Sequence, residues 1–281
     1  MIVMPREQVL EHLGPYIAHQ PLANLSSISD RAYDLYSDAA GGDVHGKETA
    51  TQHLAIRMMY IARATSLALR INASWVLTHP ALSLLRDRYE QVVRFSWLAR
   101  QSDNKEMSKY LASYYAKSIK LRHGMTPQQK AEFDKLITSI PGWLKEKPTK
   151  EQREYLDRWN SFDLLSMVKK RDAQPPLSAV RLAKSPLADL YNSVYAQFSS
   201  VTHYDMYSIN MLHLFKPPNG DTLVLAPDPG FPAIIFLDNA LFDLIQCFEA
   251  SRRFFKSDLD AEFDALYDEY DMHLKSIIGT D

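Results

Sequence analysis

The sequence predicts an all-α fold, a multi-helix bundle, and three observations support this. Apolar residues recur at helical spacing through most of the chain, and the pattern over 46–78 contains no internal proline or glycine. Hydrophobic residues make up 46% of the 281 residues, which is enough to build a buried core. The chain has only nine glycines and no glycine-rich phosphate loop, which argues against a dinucleotide-binding fold.

Helix boundaries follow from proline, glycine and capping residues. His79-Pro80 marks the end of the first long pattern, and Thr126-Pro127 combines a good N-cap with a proline at the first helical position. Ser185-Pro186 opens a helix with a clear apolar stripe. Many prolines and charges over 142–186 predict short helices and loops there. The main predicted helices, in chain order, are 46–78, 81–100, 104–122, one from Thr126 that stops before Pro141, one from Ser185, 231–255 and 258–278.

One segment departs from the helical pattern. Pro217-Pro218-Asn219-Gly220 is typical of a turn, and Asp221 to Leu225 is typical of a short strand. We therefore expect a small β-hairpin near 211–226. The predicted domain organisation is an N-terminal extension, 1–45, followed by one helical bundle domain, 46–281.

The overall charge and the cysteine count limit the partners and the compartment. Lys plus Arg total 32 against 34 Asp plus Glu, so the formal charge of −2 gives no global positive field for nucleic acid. The single cysteine, Cys247, excludes an internal disulfide framework and fits a reducing compartment, for which the cytoplasm is the default. We find no signal-peptide pattern and no apolar stretch long enough to span a bilayer, so no membrane association is expected.

The first candidate site is a charge ladder. Arg86, Glu90 and Arg94 are spaced by four residues and fall on one side of a helix, at the border of the apolar face that contains Val93 and Trp97. This position predicts partial burial, and buried charges need partners. A structural ion pair and a functional site both fit the pattern.

The second candidate site is the stretch Phe198 to Asp205, read as FSSVTHYD. Tyr195, Ser199 and His203 recur at intervals of four and flank an apolar stripe. An imidazole can act as a general base near neutral pH, and a hydroxyl can orient a phosphate. The alternative is structural, since Ser, Thr and His also terminate helices and bond the last carbonyls.

Metal and cofactor chemistry is not predicted. His203 and His213 with Asp205, or Glu269 with His273, match no recognised ligand spacing. There is also no G-x-S-x-G elbow of the kind that serine hydrolases use. We expect no metal and no cofactor.

Two segments carry a family resemblance: LLRDRYEQVVRFSWL at 84–98 and LYNSVYAQFSSVTHYDMYS at 190–208. They resemble bacterial helical proteins that are grouped as domains of unknown function, with an L-L-R-x3-E-x3-R-x2-W-L-like helix and a later Y-x3-S-x3-H-like helix end. These families are similar to the HEPN (higher eukaryote and prokaryote nucleotide-binding) bundles. The resemblance covers about 81–255.

The resemblance implies a HEPN-like fold and a role as a bacterial toxin or phage-defence protein, with RNA or a nucleotide as ligand. It also implies a partner such as an antitoxin, and a homodimer, because HEPN-like bundles commonly pair. A metal-independent ribonuclease would use His203 for proton transfer and an arginine for phosphate charge. The implied catalytic residues are Arg86, Glu90, Arg94 and His203, and the implied substrate-binding residues are Trp97, Tyr195, Ser199 and Tyr204.

The chain departs from the HEPN ribonuclease pattern at one point. Those enzymes use R-x4-6-H on a single helix, whereas the nearest arginine before His203 is Arg181. Either Arg86 or Arg94 supplies the arginine from another helix, or the protein does not cut RNA. The alternative function is a noncatalytic helical module that binds a small ligand or a protein.

Overall fold

The computed structural model describes residues 20–41, 49–74, 78–101, 106, 110, 124–138, 163–196, 212–215, 224–227 and 231–278. Helices dominate these residues, as an all-α bundle requires. The α-helices are α1 (Gln20–Ala39), α2 (Ala50–Ser74), α3 (Thr78–Ala99), α4 (Pro127–Thr138), α5 (Leu164–Asp172), α6 (Phe231–Phe254) and α7 (Asp260–Ile278).

Two helices begin with a reciprocal capping box. Before α2, the Gln52 amide N–H donates to the Thr49 hydroxyl, and the Thr49 amide N–H donates to the Gln52 side chain at 2.9 Å. Thr126 and Gln129 repeat this arrangement before α4. Each box satisfies backbone donors that have no partner within the helix. The predicted start of α4 at Thr126-Pro127 is confirmed.

Helix α3 begins earlier than the sequence pattern predicted. It starts at Thr78, so Pro80 lies inside its first turn and does not interrupt the helix. The first N–H groups of a helix have no intrahelical acceptor, so a proline in this turn removes no hydrogen bond. The predicted break at His79-Pro80 is therefore wrong, because both residues belong to α3.

Helix α6 lies at the centre of the bundle and packs against α1, α2, α3 and α7. Its apolar side chains Phe242 and Phe248 are at most 1% exposed. The Phe248 and Phe263 rings meet edge to face at 5.6 Å and join α6 to α7. The apolar spacing that predicted α7 is confirmed, because Phe263, Leu266 and Tyr270 are all buried.

Helix α1 falls within the segment 1–45. Its side chains Leu25, Ile28 and Tyr33 are at most 1% exposed and belong to the same core as the residues of α2, α3 and α6. Helix α1 packs directly against α6 and α7.

The segment after α5 does not start a helix at Ser185, so that predicted start is wrong. A 3-10 turn, Leu182–Lys184, is followed by a turn, and a π-helical segment then runs over Tyr191–Ala196. The Asp172 carboxylate accepts the backbone N–H groups of Leu187 and Ala188, and the N–H groups of Leu190 and Tyr191 make turn bonds to the carbonyls three residues before them. Leu187 and Val194 are nevertheless buried, as the apolar stripe predicted.

Two short strands follow. Strand β1 (Leu212–Phe215) pairs antiparallel with β2 (Val224–Pro227), with Leu212 opposite Pro227. The residues that join them lie outside the described part of the chain. Of the predicted helix at 104–122, only Glu106 and Tyr110 are described, and both are helical.

Candidate functional site

The charge ladder lies on the outer side of α3. The Arg86 guanidinium donates to one Glu90 oxygen at 3.3 Å, and the Arg94 guanidinium donates to the other at 3.5 Å. The three side chains are 22–28% exposed. They are thus partly buried and still reach solvent. Both bonds are longer than the 2.7–2.9 Å that is usual for a charged donor and acceptor.

The ladder meets the π-helical segment at Tyr195. The Arg86 guanidinium carbon lies 5.2 Å from the centre of the Tyr195 ring, which is cation–π distance. The ring centres of Tyr191 and Tyr195 lie 5.3 Å apart, and those of Tyr89 and Tyr195 lie 6.1 Å apart. An arginine from the first sequence motif therefore contacts a tyrosine from the second.

Nearby charges favour the ionised form of Arg86. Partial burial lowers the pKa of this guanidinium, but the hydrogen bond to Tyr195 and the carboxylates of Glu90 and Asp87 raise it above its ordinary value overall. Burial raises the pKa of Asp87, and Arg86 opposes that rise. Arg86 thus remains a cation that an anionic ligand can meet.

The other predicted site residues have different outcomes. Trp97 is half-buried and packs against the core, at the end of α3. His203, Ser199 and Tyr204 lie outside the described residues. The structure therefore brings together Arg86, Glu90, Arg94 and Tyr195.

The sequence interpretation missed an ionic network that is sealed within the bundle. Asp243 on α6 is fully buried and accepts four hydrogen bonds at 2.7–3.0 Å. The donors are Tyr33, Ser66, Arg88 and Asn239, so α1, α2, α3 and α6 meet at this carboxylate. Arg88 is also fully buried and donates to Gln246 at 2.8 Å.

A second buried network lies further along α3. Glu249 accepts Arg100 and Arg171 at 2.8 Å each, and it also accepts the Ser96 hydroxyl. Asp172 lies beside Arg171 and accepts from it at 2.8 Å. The two arginines and the two carboxylates of this network carry equal and opposite charge, so each buried charge has a partner.

The second network fixes the segment that leads to Tyr195. Arg171 donates to the Ser185 carbonyl at 2.7 Å, and Arg100 donates to the Ala183 carbonyl at 2.6 Å. The Tyr89 hydroxyl donates to the Leu187 carbonyl at 2.7 Å. The bonds from Tyr89 and Arg100 hold this backbone against α3 and its C-terminal end, and the bond from Arg171 ties it to α5. They thereby set the position from which Tyr195 contacts Arg86.

A sequence signal for the first network existed. Asn239, Asp243 and Gln246 recur at steps of four and three within a helix that is otherwise strongly apolar. Polar residues at that spacing share one side of the helix, and a buried side must supply them with partners. Arg88 stands among other charged residues of α3, so no comparable pattern marked it as buried.

Metal centres and surface clefts are two other features that could hold a ligand. Among the described residues, no group of three or more His, Cys, Asp or Glu side chains is arranged to hold a metal ion. A surface cleft of about 320 Å³ lies between α1 and α7, and the sequence-predicted site residues do not line it. Its lining residues are Arg31, Asp34, Leu35, Asp38, Glu262, Ala265 and Leu266.

The fold and the site define a helical bundle with ionic networks in its core and a partly exposed arginine ladder at its surface. The chain belongs to DUF5677, a family of unknown function, whose pattern matches residues 48–221. That match includes the ladder and the Tyr195 segment. Neither the curated proteins nor the solved structures gave a match. No helix among the described residues combines the length and the apolar character that crossing a membrane requires.

Proposed function

We propose that the protein is a HEPN-like bacterial toxin or phage-defence protein that cleaves RNA without a metal ion. The observation that supports this proposal is the contact between Arg86 and Tyr195, because it joins the two motifs of the HEPN resemblance in space. The hydrogen bonds from Arg86 and Arg94 to Glu90 are long, so a phosphate group can compete with Glu90 for these N–H donors. Tyr191 and Tyr195 offer ring faces on which a base can stack.

The proposed reaction is transfer of the phosphoryl group within the RNA. The ribose 2′-oxygen loses its proton and bonds to phosphorus, the bond to the 5′-oxygen breaks, and that oxygen takes up a proton. His203 transfers one of these two protons, and a water molecule transfers the other. The ladder arginines stabilise the charge that develops on the phosphate. The products are a 2′,3′-cyclic phosphate and a 5′-hydroxyl.

The test uses the purified full-length protein and an end-labelled RNA in EDTA. Wild type should release fragments with 2′,3′-cyclic phosphate ends, and His203→Ala and Arg86→Ala should each slow cleavage by about 100-fold. Arg31→Ala is the matched control. This arginine is also surface-exposed and pairs with Glu269 at 2.6 Å, but it lies on α1. Its cleavage rate should equal that of wild type.

One observation favours a noncatalytic function instead. Glu90 and Asp87 accompany Arg86 and Arg94 on the same side of α3, so the local charges cancel. A site with no net charge suits a small nucleotide or a protein better than a long RNA. Intact RNA with wild type, together with nucleotide binding that Arg86→Ala weakens and His203→Ala does not, would replace the nuclease proposal with this one.

A further inference from the structure

An apolar stripe runs along the outer side of α2. Tyr60, Leu67 and Ile71 are 77%, 42% and 59% exposed, and Ala64 between them is exposed as well. Their spacings of four, three and four residues place them on one side of the helix. We call these four residues the α2 stripe.

Core packing does not account for the α2 stripe. The opposite side of the same helix is buried against α3 and α6, and it includes Ala55, Met59 and Leu69, which are at most 1% exposed. Scattered apolar residues on a surface are ordinary, but four in one row on a single helix form a contiguous patch. Ile61, which is 55% exposed, extends this patch on one side.

The charges that α2 itself places beside the stripe are all positive. None of the 25 residues of α2 is Asp or Glu, although the chain as a whole has more acidic than basic residues. Arg57 and Arg63 are exposed and flank the stripe on its two sides. The ion pairs of the described residues include neither of them. The Arg63 guanidinium lies over the Tyr33 ring at 5.4 Å.

We propose that the α2 stripe is the docking surface for an acidic amphipathic helix of another protein. A partner helix with apolar residues at i, i+3, i+4 and i+7 would cover the stripe. Glu or Asp residues beside that apolar row would meet Arg57 and Arg63. A second copy of α2 carries no carboxylate to meet these arginines, so charge complementarity favours an acidic partner. This inference does not depend on RNA cleavage.

The test uses two labelled synthetic helical peptides of three heptads. Both have Leu at the a and d positions; one has Glu at the flanking positions and the other has Lys. Fluorescence anisotropy with the full-length protein should show at least about tenfold tighter binding of the Glu peptide. Tyr60→Ser and Ile71→Ser should each weaken that binding by about tenfold. The double variant Arg57→Glu/Arg63→Glu should reverse the preference between the peptides.

The matched control is Met272→Ser, which removes a side chain that is 62% exposed on α7. It should leave the affinity for the Glu peptide unchanged. Equal affinity for the two peptides would overturn the proposal, as would equal losses from Met272→Ser and Tyr60→Ser. A wild-type dimer in sedimentation velocity that Tyr60→Ser dissociates would show that the occupant is a second copy, and would also overturn it.

Discussion

Helix α3 carries the same chemistry on two sides with opposite surroundings. On its inner side Arg88 is 0% exposed and bonds Asp243 at 2.9 Å. On its outer side Arg86, two residues away, is 22% exposed and bonds Glu90 at 3.3 Å. Both are arginine–carboxylate pairs. The inner pair links two helices that are far apart in the sequence and pack together, whereas the outer pair joins neighbouring turns of one helix.

The comparison teaches that burial separates structural charges from charges that can bind a ligand. In the core, an ion that loses its partner faces a large desolvation penalty, so tight and complete pairing is required. At the surface, water screens the charges and an exposed pair contributes little to stability. The outer ladder can therefore exchange Glu90 for an anionic ligand at small cost, and the inner networks cannot.

The largest expected effect comes from Glu249. Glu249→Gln leaves Arg100 and Arg171 buried together without their shared carboxylate, so unfolding free energy should fall by about 4–5 kcal/mol. Urea unfolding followed by far-UV circular dichroism measures this. The control is Glu269→Gln, which removes an exposed partner of Arg31 and should cost less than about 1 kcal/mol. Similar losses for both variants would show that burial does not decide how much an ion pair contributes to stability.

The next effect concerns the Arg88–Asp243 pair. Arg88→Met should lower the free energy of unfolding by about 3–5 kcal/mol, because the Asp243 carboxylate stays buried without its cation. Arg88→Met/Asp243→Leu should lose less than the sum of the single variants, and a double-mutant cycle measures that coupling. Additive losses would show that the two side chains do not stabilise each other.

A smaller effect depends on pH and involves Asp238 on α6. Burial raises the pKa of this carboxyl from its ordinary value of 3.8 to about 7. As pH rises from about 4 to about 7, the unfolded chain releases this proton before the folded chain does, so Asp238 lowers stability across that window. Asp238→Asn removes this contribution.

Urea midpoints of wild type and Asp238→Asn at pH 5 and pH 8 measure the contribution of Asp238. The variant should gain stability relative to wild type between the two values. A constant difference would show that Asp238 titrates near its ordinary value and that burial does not raise its pKa.

The smallest effect on stability is expected for the outer ladder. Arg86→Ala should change unfolding free energy by less than about 1 kcal/mol, because its pair with Glu90 is partly exposed and joins neighbouring turns. The same variant should slow RNA cleavage by about 100-fold if the proposed function holds. A stability loss as large as that of Arg88→Met would place Arg86 among the structural charges.

Several elements followed from local sequence alone. The apolar spacing over 231–255 and 258–278 predicted α6 and α7 closely, and Thr126-Pro127 predicted the start of α4. These signals succeed because helical periodicity and capping depend on residues within a few turns of each other. The predicted start at Ser185 was wrong. Asp172, on another helix, accepts the backbone N–H groups of Leu187 and Ala188 there, a contact that the local pattern does not contain.

The candidate site could be predicted only in part. Spacing by four residues placed Arg86, Glu90 and Arg94 on one side of α3, and the border position predicted their partial burial. The contact between Arg86 and Tyr195 spans two elements, so periodicity within either one does not contain it. The approach of His203 to Arg86 stays a prediction, since His203 lies outside the described residues.

The sequence by itself determined the helical class, most helix positions and the outer ladder, because each depends on the order of residues along one helix. Only the tertiary structure decided that Arg88 pairs with Asp243 and that Glu249 joins Arg100 to Arg171. Those pairs form between residues about 80 to 155 positions apart. Which arginine is sealed and which meets solvent is set by the packing of other helices against α3, and a local pattern cannot record that packing.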